Sequence, residues 1–235
     1  MAEDLDIHAA AHEGDVAALR RALDDGVSPD AKDSTYGFTP LHWLCGGEEG
    51  RDRVACFNLL VARGVNVNVG NDANVPPLQF AILQRPDLVP PLLDAGADPN
   101  YDAGGGQSAL HYVFLTEYHN DNSRVHMVKA VVQALIRAGG DVNLRDSFGQ
   151  TPLEAGILSG NMDKLYPIFF RAGAALPTGT SVAYVQKIRA AGGFKRYERN
   201  HLNAITATFA PKLSHVLPPE LVRRVVEYAF HVGDY

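Results

Sequence analysis

Nine histidines, two cysteines and 27 acidic residues are the groups with which this chain could hold a metal or catalyse a reaction. His42 and Cys45 stand three apart, so a helix would carry both on one face, where they could share a metal ion. Cys56 does not complete a tetrahedral set at finger spacing. His119 and His126 flank a polar stretch without a carboxylate pair in helical register. No zinc site is expected. There is no phosphate loop, no paired-histidine zinc helix and no nucleophile elbow. Gly104-Gly105-Gly106 is followed by no Lys-Ser/Thr pair and reads as a turn. The expectation is therefore no catalytic residue, no cofactor and no metal.

The elements that would carry these residues are constrained by composition. Apolar residues make up 46% of the 235, enough to bury a core, and the formal net charge is −6. An acidic chain has no electrostatic reason to seek nucleic acid. Residues 1–177 hold 13 Lys/Arg against 23 Asp/Glu, and residues 178–235 hold 8 against 4, a change of sign that suggests a boundary. Two cysteines are too few for a disulfide framework and fit a reducing compartment. The first six residues are acidic and lack an apolar core, so no signal or transit peptide is expected, and no apolar run reaches about 18 residues, so no membrane span is expected. A cytoplasmic or nuclear location follows as the expectation.

Two phrases recur. One reads Gly26-Val27-Ser28-Pro29-Asp30, Gly64-Val65-Asn66-Val67-Asn68, Gly96-Ala97-Asp98-Pro99-Asn100 and Gly139-Gly140-Asp141-Val142-Asn143, with a partial copy at Gly173-Ala174. The other reads Thr39-Pro40-Leu41-His42, Pro76-Pro77-Leu78-Gln79, Ser108-Ala109-Leu110-His111 and Thr151-Pro152-Leu153-Glu154. The two drift in step along the chain. Thr39 and Thr151 can cap a helix, and the proline that follows suits the first helical position. The phrase glycines follow apolar helical runs and suit a left-handed C-terminal cap. The Asp/Asn-rich stretch between the phrases is turn chemistry. Each unit is thus turn, helix, loop, helix, and neither helix can bury its apolar face without a neighbour.

Both phrases, near a period of about 33 residues, resemble ankyrin repeats. The resemblance implies an all-α solenoid of five repeats, at about 4–33, 34–70, 71–102, 103–145 and 146–176, followed by a helical region at 177–235. Repeats 2 and 4 are long between their helices, at 46–52 and at Tyr118–Ser123; each is a tolerated polar loop or a binding loop. Pro90 and Pro167 occupy matching places, so the second helices of repeats 3 and 5 should start late and be short. In the resembling family His42 and His111 would tie neighbouring loops by hydrogen bonds. The family binds partner proteins through turn tips and the concave face of the first helices. Carried over, the tips supply Tyr36, Phe38, Asp72, Gln107 and Phe148, and the helices supply Trp43, Phe80 and Tyr112. The last three would form an aromatic ladder, or else pack between repeats as core.

Beyond Pro177 the phrases stop. Helices are expected from Thr178 to Ala191, from Phe194 to Phe209 with Pro211 just past the end, and through Glu220–Phe230. Leu217-Pro218-Pro219-Glu220-Leu221 resembles the opening of an F-box, of the truncated PRANC-like kind. That resemblance implies a docking helix, carried by Leu217, Pro218, Leu221, Val225 and Phe230, for a Skp1-like or other component of a cullin-type ubiquitin ligase. The alternative is a cap on the last repeat, which a solenoid needs. Function is expected to be binding of another protein, as an interaction module, a ligase adaptor or a structural subunit of an assembly, and not catalysis.

Overall fold

The computed structural model describes residues 6–46, 52–115, 122–159, 163–213, 217–218 and 220–225. The long loop expected in repeat 2, the core of the insertion in repeat 4, His119 and Phe230 fall outside these residues. Among the described residues the regular elements are all helices. Eight of them come in pairs, α1 (Ile7–Glu13) with α2 (Val16–Asp24), α3 (Pro40–Gly46) with α4 (Arg53–Ala62), α5 (Pro77–Gln84) with α6 (Val89–Asp94), and α7 (Ala109–Tyr112) with α8 (Asn122–Arg137), and α9 (Pro152–Leu158) and α10 (Tyr166–Arg171) come next along the chain. Two more follow, α11 (Ala183–Ala190) and α12 (Phe194–Leu213), and residues 220–225 are helical. The chain forms two compact units, Met1–Asn161 and Met162–Tyr235. The division runs between α9 and α10.

The recurring phrases set where helices begin and end. Thr151 opens α9 with a reciprocal cap: its hydroxyl accepts from the Glu154 amide at 3.3 Å, and the Glu154 carboxylate accepts from the Thr151 amide at 3.0 Å. At the other end, the phrase glycine closes α2, α4, α6, α8 and α10 in the same way. Gly26, Gly64, Gly96, Gly139 and Gly173 all have φ between 77° and 93°. The amide of the next residue reaches back to the carbonyls of Ala22, Leu60, Leu92, Leu135 and Phe169 respectively. This is the double-bonded left-handed cap, which disfavours a side chain at the glycine.

Pro90 and Pro167 sit at the second position of α6 and α10, each six residues long and each preceded by a single 3-10 turn, Pro86–Leu88 and Asp163–Leu165. No helical donor is lost there, so these second helices do start late. One opening helix is cut short, and two later boundaries differ from expectation. The opening helix of repeat 4 has only four residues and tightens into a 3-10 turn at Val113–Leu115. α11 begins at Ala183, not Thr178. Gly179 takes φ +73°, and the Thr180 hydroxyl accepts from the Val182 amide, so local side-chain bonding holds 178–182 out of the helix. Pro211 lies inside α12 rather than past it. It removes one donor near the end of a 20-residue helix, which absorbs that loss.

In the first unit the opening helices stack in series, α1 on α3, α3 on α5, α5 on α7 and α7 on α9, while α2 packs on α4 and α6 on α8. The phrase leucines Leu41, Leu78, Leu110 and Leu153 form one fully buried column, and Leu60, Leu92 and Leu135 form a second. Each such side chain contributes about 1.5–3 kcal/mol. Polar bonds then fix which residue faces which. The last residue of the glycine phrase reaches one repeat forward. Asp30 Oδ1 accepts from the Asn66 amide at 2.9 Å, Asn68 Oδ1 from the Asp98 amide at 2.8 Å, and Asn100 Oδ1 from the Asp141 amide at 2.8 Å. The two asparagines also donate, Asn68 Nδ2 to the Gly96 carbonyl at 3.1 Å and Asn100 Nδ2 to the Gly139 carbonyl at 2.9 Å. A carboxylate at position 30 has no amide hydrogens to offer there.

Asn100→Ala is expected to lower stability by about 1–2 kcal/mol, since two modestly exposed bonds vanish together. Asp30→Asn, which supplies the absent donor toward the Gly64 carbonyl, is expected to raise it by about 0.5–1 kcal/mol. Urea unfolding monitored by helical circular dichroism reads both. A neutral Asn100→Ala would show that these bonds do not hold the repeats in register.

Candidate functional site

The turns that precede each opening helix are built on one acceptor. Asp33 Oδ1 accepts from the amides of Thr35 and Tyr36 at 3.0 and 2.8 Å. Asn71 Oδ1 does the same for Ala73 and Val75, Asp102 Oδ1 for Gly104 and Gly106, and Asp146 Oδ1 for Phe148 and Gln150, all between 2.8 and 3.0 Å. These are Asx turns, in which a short polar side chain folds the backbone over itself. Burial alone would raise the Asp33 pKa, but the Tyr36 amide, the Trp43 indole and further amides outweigh it and lower it.

Neighbouring turns are also stitched together. The Asp72 amide donates to the Tyr36 carbonyl at 3.0 Å. Asn74 Nδ2 donates to the Asp102 carbonyl at 2.8 Å, and the Tyr101 hydroxyl donates to Asn74 Oδ1 at 2.8 Å. The Ser147 amide donates to the Gly105 carbonyl at 2.8 Å. Gly37, at φ +66°, lies so close to Asp72 that a methyl group would meet its carboxylate oxygen at 2.1 Å. The four tips form one ridge.

Behind the first tip sits an aromatic cluster centred on Phe38. Its ring centroid lies 5.0 Å from Phe80, 5.5 Å from His42, 5.6 Å from Trp43 and 5.6 Å from Tyr36. Trp43 also meets the His12 ring edge-on at 5.5 Å, and its indole N–H donates to Asp33 Oδ2 at 2.9 Å. Phe38, Trp43, Phe80 and Tyr112 are half-buried, so each contributes to packing and still presents surface. The geometry thus brings Tyr36, Phe38, Trp43 and Phe80 together and joins Asp72 to them through the Tyr36 carbonyl. Gln107 is half-buried on the third tip, where its carbonyl accepts from the Ala103 amide. Phe148 stands on the fourth tip, 80% exposed, and Tyr36 is 60% exposed.

The two phrase histidines are structural. His42 Nδ1 accepts from the Thr39 amide at 3.1 Å and lies 2.8 Å from the Thr39 hydroxyl, while Nε2 meets the Val75 carbonyl of the next repeat at 2.9 Å. His111 repeats this with Ser108 and the Gln150 carbonyl, the last at 3.1 Å. An acceptor at Nδ1 and a donor at Nε2 require the neutral ring. With both nitrogens engaged and Cys45 fully buried, its thiol pushed up to about 12 by that burial, the pair is not arranged to take a metal. Among the described residues no group of three or more His, Cys, Asp and Glu side chains is placed to hold one.

Repeat 3 carries Gln79 at the histidine position. Its Nε2 still donates forward, to the Tyr101 carbonyl at 3.3 Å. Its Oε1 is buried without a donor, because Pro76 occupies the cap and has no N–H. Arg53, at the start of α4, was not visible as a tie in the sequence. It is 4% exposed and donates to the carbonyls of Leu44 at 2.6 Å and His12 at 2.8 Å, which joins the ends of α1 and α3. Burial pulls its pKa down. A lone arginine between two glycine phrases gives no sequence signal for this.

Residues 7–103 match the family model for ankyrin repeats, in three copies. That segment is an array of ankyrin repeats. The turn, tie and cap geometry continues past the matched segment, through Asn100, His111 and Thr151. Similar relatives include human SH3 and multiple ankyrin repeat domains protein 2, 29% identical over 160 residues, which are 67% of this chain and 8% of that protein. Palmitoyltransferase AKR1 of Kluyveromyces lactis is 29% identical over 154 residues, 63% of this chain and 19% of its own length. Human scaffold protein ILK is 38% identical over 66 residues, 28% of this chain and 14% of its own. The chain therefore spans less than a fifth of each of these relatives. Ankyrin repeats are protein-interaction modules, and that is the role this ankyrin stack is built for.

In the second unit, the Pro218 carbonyl accepts from the amides of Leu221 and Val222 at 3.0 Å each and so starts the helical stretch 220–225. Val222 is buried, whereas Leu221 and Val225 are 44% and 48% exposed; Leu217 is half-buried and Pro218 exposed. Among the described residues no helix is long and apolar enough to cross a membrane.

Two outcomes are expected from the histidine ties. Burial lowers the His42 pKa from 6.5 to about 4 and lowers that of His111 in the same direction. Between these limits the unfolded chain binds a proton that the folded chain refuses. The stabilisation is therefore complete above about pH 6.5 and is lost as pH falls toward 4, at up to about 1.4 kcal/mol per pH unit for one group. Urea midpoints measured across that range should fall less steeply for His42→Asn than for the parent; equal slopes would refute the assignment. Second, Pro76→Thr combined with Gln79→His rebuilds the capped tie, and should be about 1 kcal/mol more stable than the sum of the single changes. Additive singles would mean that the orphaned Gln79 oxygen costs nothing.

Proposed function

We propose that the first unit recognises a partner protein through its turn tips and the exposed side of its opening helices. The contact residues are Tyr36, Phe38, Asp72, Gln107 and Phe148 on the tips, with Trp43, Phe80 and Tyr112 behind them. The observation that carries this reading is the exposure of Tyr36 and Phe148 on turns whose backbone is held by Asp33 and Asp146. Aromatic side chains on pre-organised backbone are efficient anchors, because they bury large area with few rotors to freeze. The chain on this reading binds rather than catalyses, and the word scaffold in one relative's name agrees with it.

A second reading adds a handle in the other unit. Leu221 and Val225 lie four residues apart, on one side of the helical stretch, and both are exposed. That pair supports docking of a Skp1-like or other cullin-ligase component along 217–230, which would make the chain a substrate adaptor. A third reading, of a different class, makes the chain a permanent structural subunit of a larger assembly.

Affinity purification with mass spectrometry from the native cell separates these. Tyr36→Ser with Phe148→Ser should remove the principal partner while leaving the melting midpoint unchanged. Leu221→Ser with Val225→Ser should remove ligase components and leave that partner in place. An unchanged partner set with the first pair sinks the recognition reading, and absence of ligase components from the parent sinks the adaptor.

A further inference from the structure

We propose that the ridge from Tyr36 to Phe148 takes a polypeptide segment in extended conformation, with an apolar side chain at each end and basic side chains between. This rests on the recognition reading above and specifies the shape and chemistry of what is recognised.

The ridge has two apolar ends and a low middle. Tyr36 is 60% exposed and Phe148 is 80% exposed. Each aromatic's own amide is bound to the aspartate that folds its turn, at 2.8 and 3.0 Å, so each ring stands on a fixed base. On the two tips between them the places that match Phe148, two past the anchoring acceptor, hold Ala73 and Gly104, and those that match Tyr36, three past it, hold Asn74 and Gly105. None of the four carries an apolar side chain larger than a methyl group, and Asn74 is held down by its bonds to Asp102 and Tyr101, so a partner's main chain can approach closely. The charge of this middle is of one sign. Asp72 and Asp102 are exposed, and residues 70–75 and 101–107 contain no lysine or arginine. Arg145, beside the Phe148 end, is already bonded to the Gly149 carbonyl and to Glu154.

The spacing of the two ends is set by the stitching. Tyr36 binds Asp72, Asn74 binds Asp102, and Gly105 binds Ser147, so no tip moves independently of its neighbour. Three steps of stacked helices at about 8–10 Å each place the ends roughly 25–30 Å apart. An extended chain covers that distance in about eight or nine residues, at roughly 3.3 Å per residue. A helix, rising about 1.5 Å per residue, would need about 18. The low floor and the row of acids suit an extended chain with lysines or arginines over Asp72 and Asp102.

The test uses the full chain and fluorescein-labelled synthetic peptides. Each peptide has two leucines, separated by roughly five to nineteen positions, with two central lysines and serine elsewhere. Anisotropy titrations should show the tightest binding at a separation of about eight, weakening about fivefold or more at either extreme. Tyr36→Ser and Phe148→Ser should each weaken that best peptide about tenfold, to the level of a peptide with one leucine. Asp72→Asn with Asp102→Asn should abolish the preference for lysine over glutamate in the middle. Absence of saturable binding, an optimum near eighteen, affinity independent of separation, or Phe148→Ser binding like the parent overturns the inference. In any of those cases the recognition reading still stands if the tip variants lose their partner in native cells. If they keep it, both fall.

Discussion

The neutral imidazole of His42 accepts from its own repeat and donates to the next, and the placement of the ridge turns on that bond. The opening helices are short: α3 has seven residues and α7 four. Helices of that length do not persist alone in water, so their order comes from neighbours. A column of buried leucines supplies the favourable energy but resists sliding only weakly, because one leucine contact resembles the next. Directional bonds across the repeat boundary set the register. The imidazole tie does so on the tip side of the stack, and the asparagine ladder does so at the ends of the second helices.

The tie and the ridge share atoms. The Val75 carbonyl that meets His42 also closes its own turn, accepting from the Asn71 amide at 3.1 Å. The Gln150 carbonyl that meets His111 likewise accepts from the Asp146 amide at 2.9 Å. On repeats 3 and 5 one oxygen thus joins the helix of the preceding repeat to the tip of its own. Positions of Asp72 and Phe148 follow from bonds made in the interior, and a disturbance at His42 or His111 would displace the tip beyond it. That coupling makes the neutral state of the histidines relevant to binding as well as to stability.

How far the sequence reached can be judged at particular residues. The phrase glycines, the capping Thr151 and the late starts at Pro90 and Pro167 were all readable, because each is a local consequence of backbone geometry. The role of His42 came from family resemblance. The forward reach of Asn68 and Asn100 was missed: locally the same residues look like ordinary turn formers, and only the stacked neighbour shows where their side chains go. Arg53 was missed for the same reason. The start of α11 was misplaced because Thr180 satisfies the Val182 amide with its side chain, a competition that apolar spacing does not register. Among the proposed contact residues, aromatic type was visible. Their division into a half-buried cluster around Phe38 and two exposed ends was not, since it depends on which rings the neighbouring repeat covers.

That division separates residues the fold needs from residues it does not. Phe38, Trp43 and Phe80 lean on one another, and Trp43 is tied to Asp33, so their aromatic character has a sufficient explanation in packing. Phe148 has no such explanation. Its amide is what Asp146 binds, and any residue but proline has an amide. A serine or asparagine would serve the turn equally, whereas a ring that is 80% exposed recovers little of the roughly 2 kcal/mol that burial of its surface would release. A single exposed apolar side chain is ordinary. This one, however, lies at the end of a hydrogen-bonded ridge whose other end is also an exposed aromatic and whose middle is small and acidic. The arrangement leaves unburied apolar area where a bound chain would cover it, and that is why the anchors of the binding face are placed on the tips, with the cluster behind them as its support.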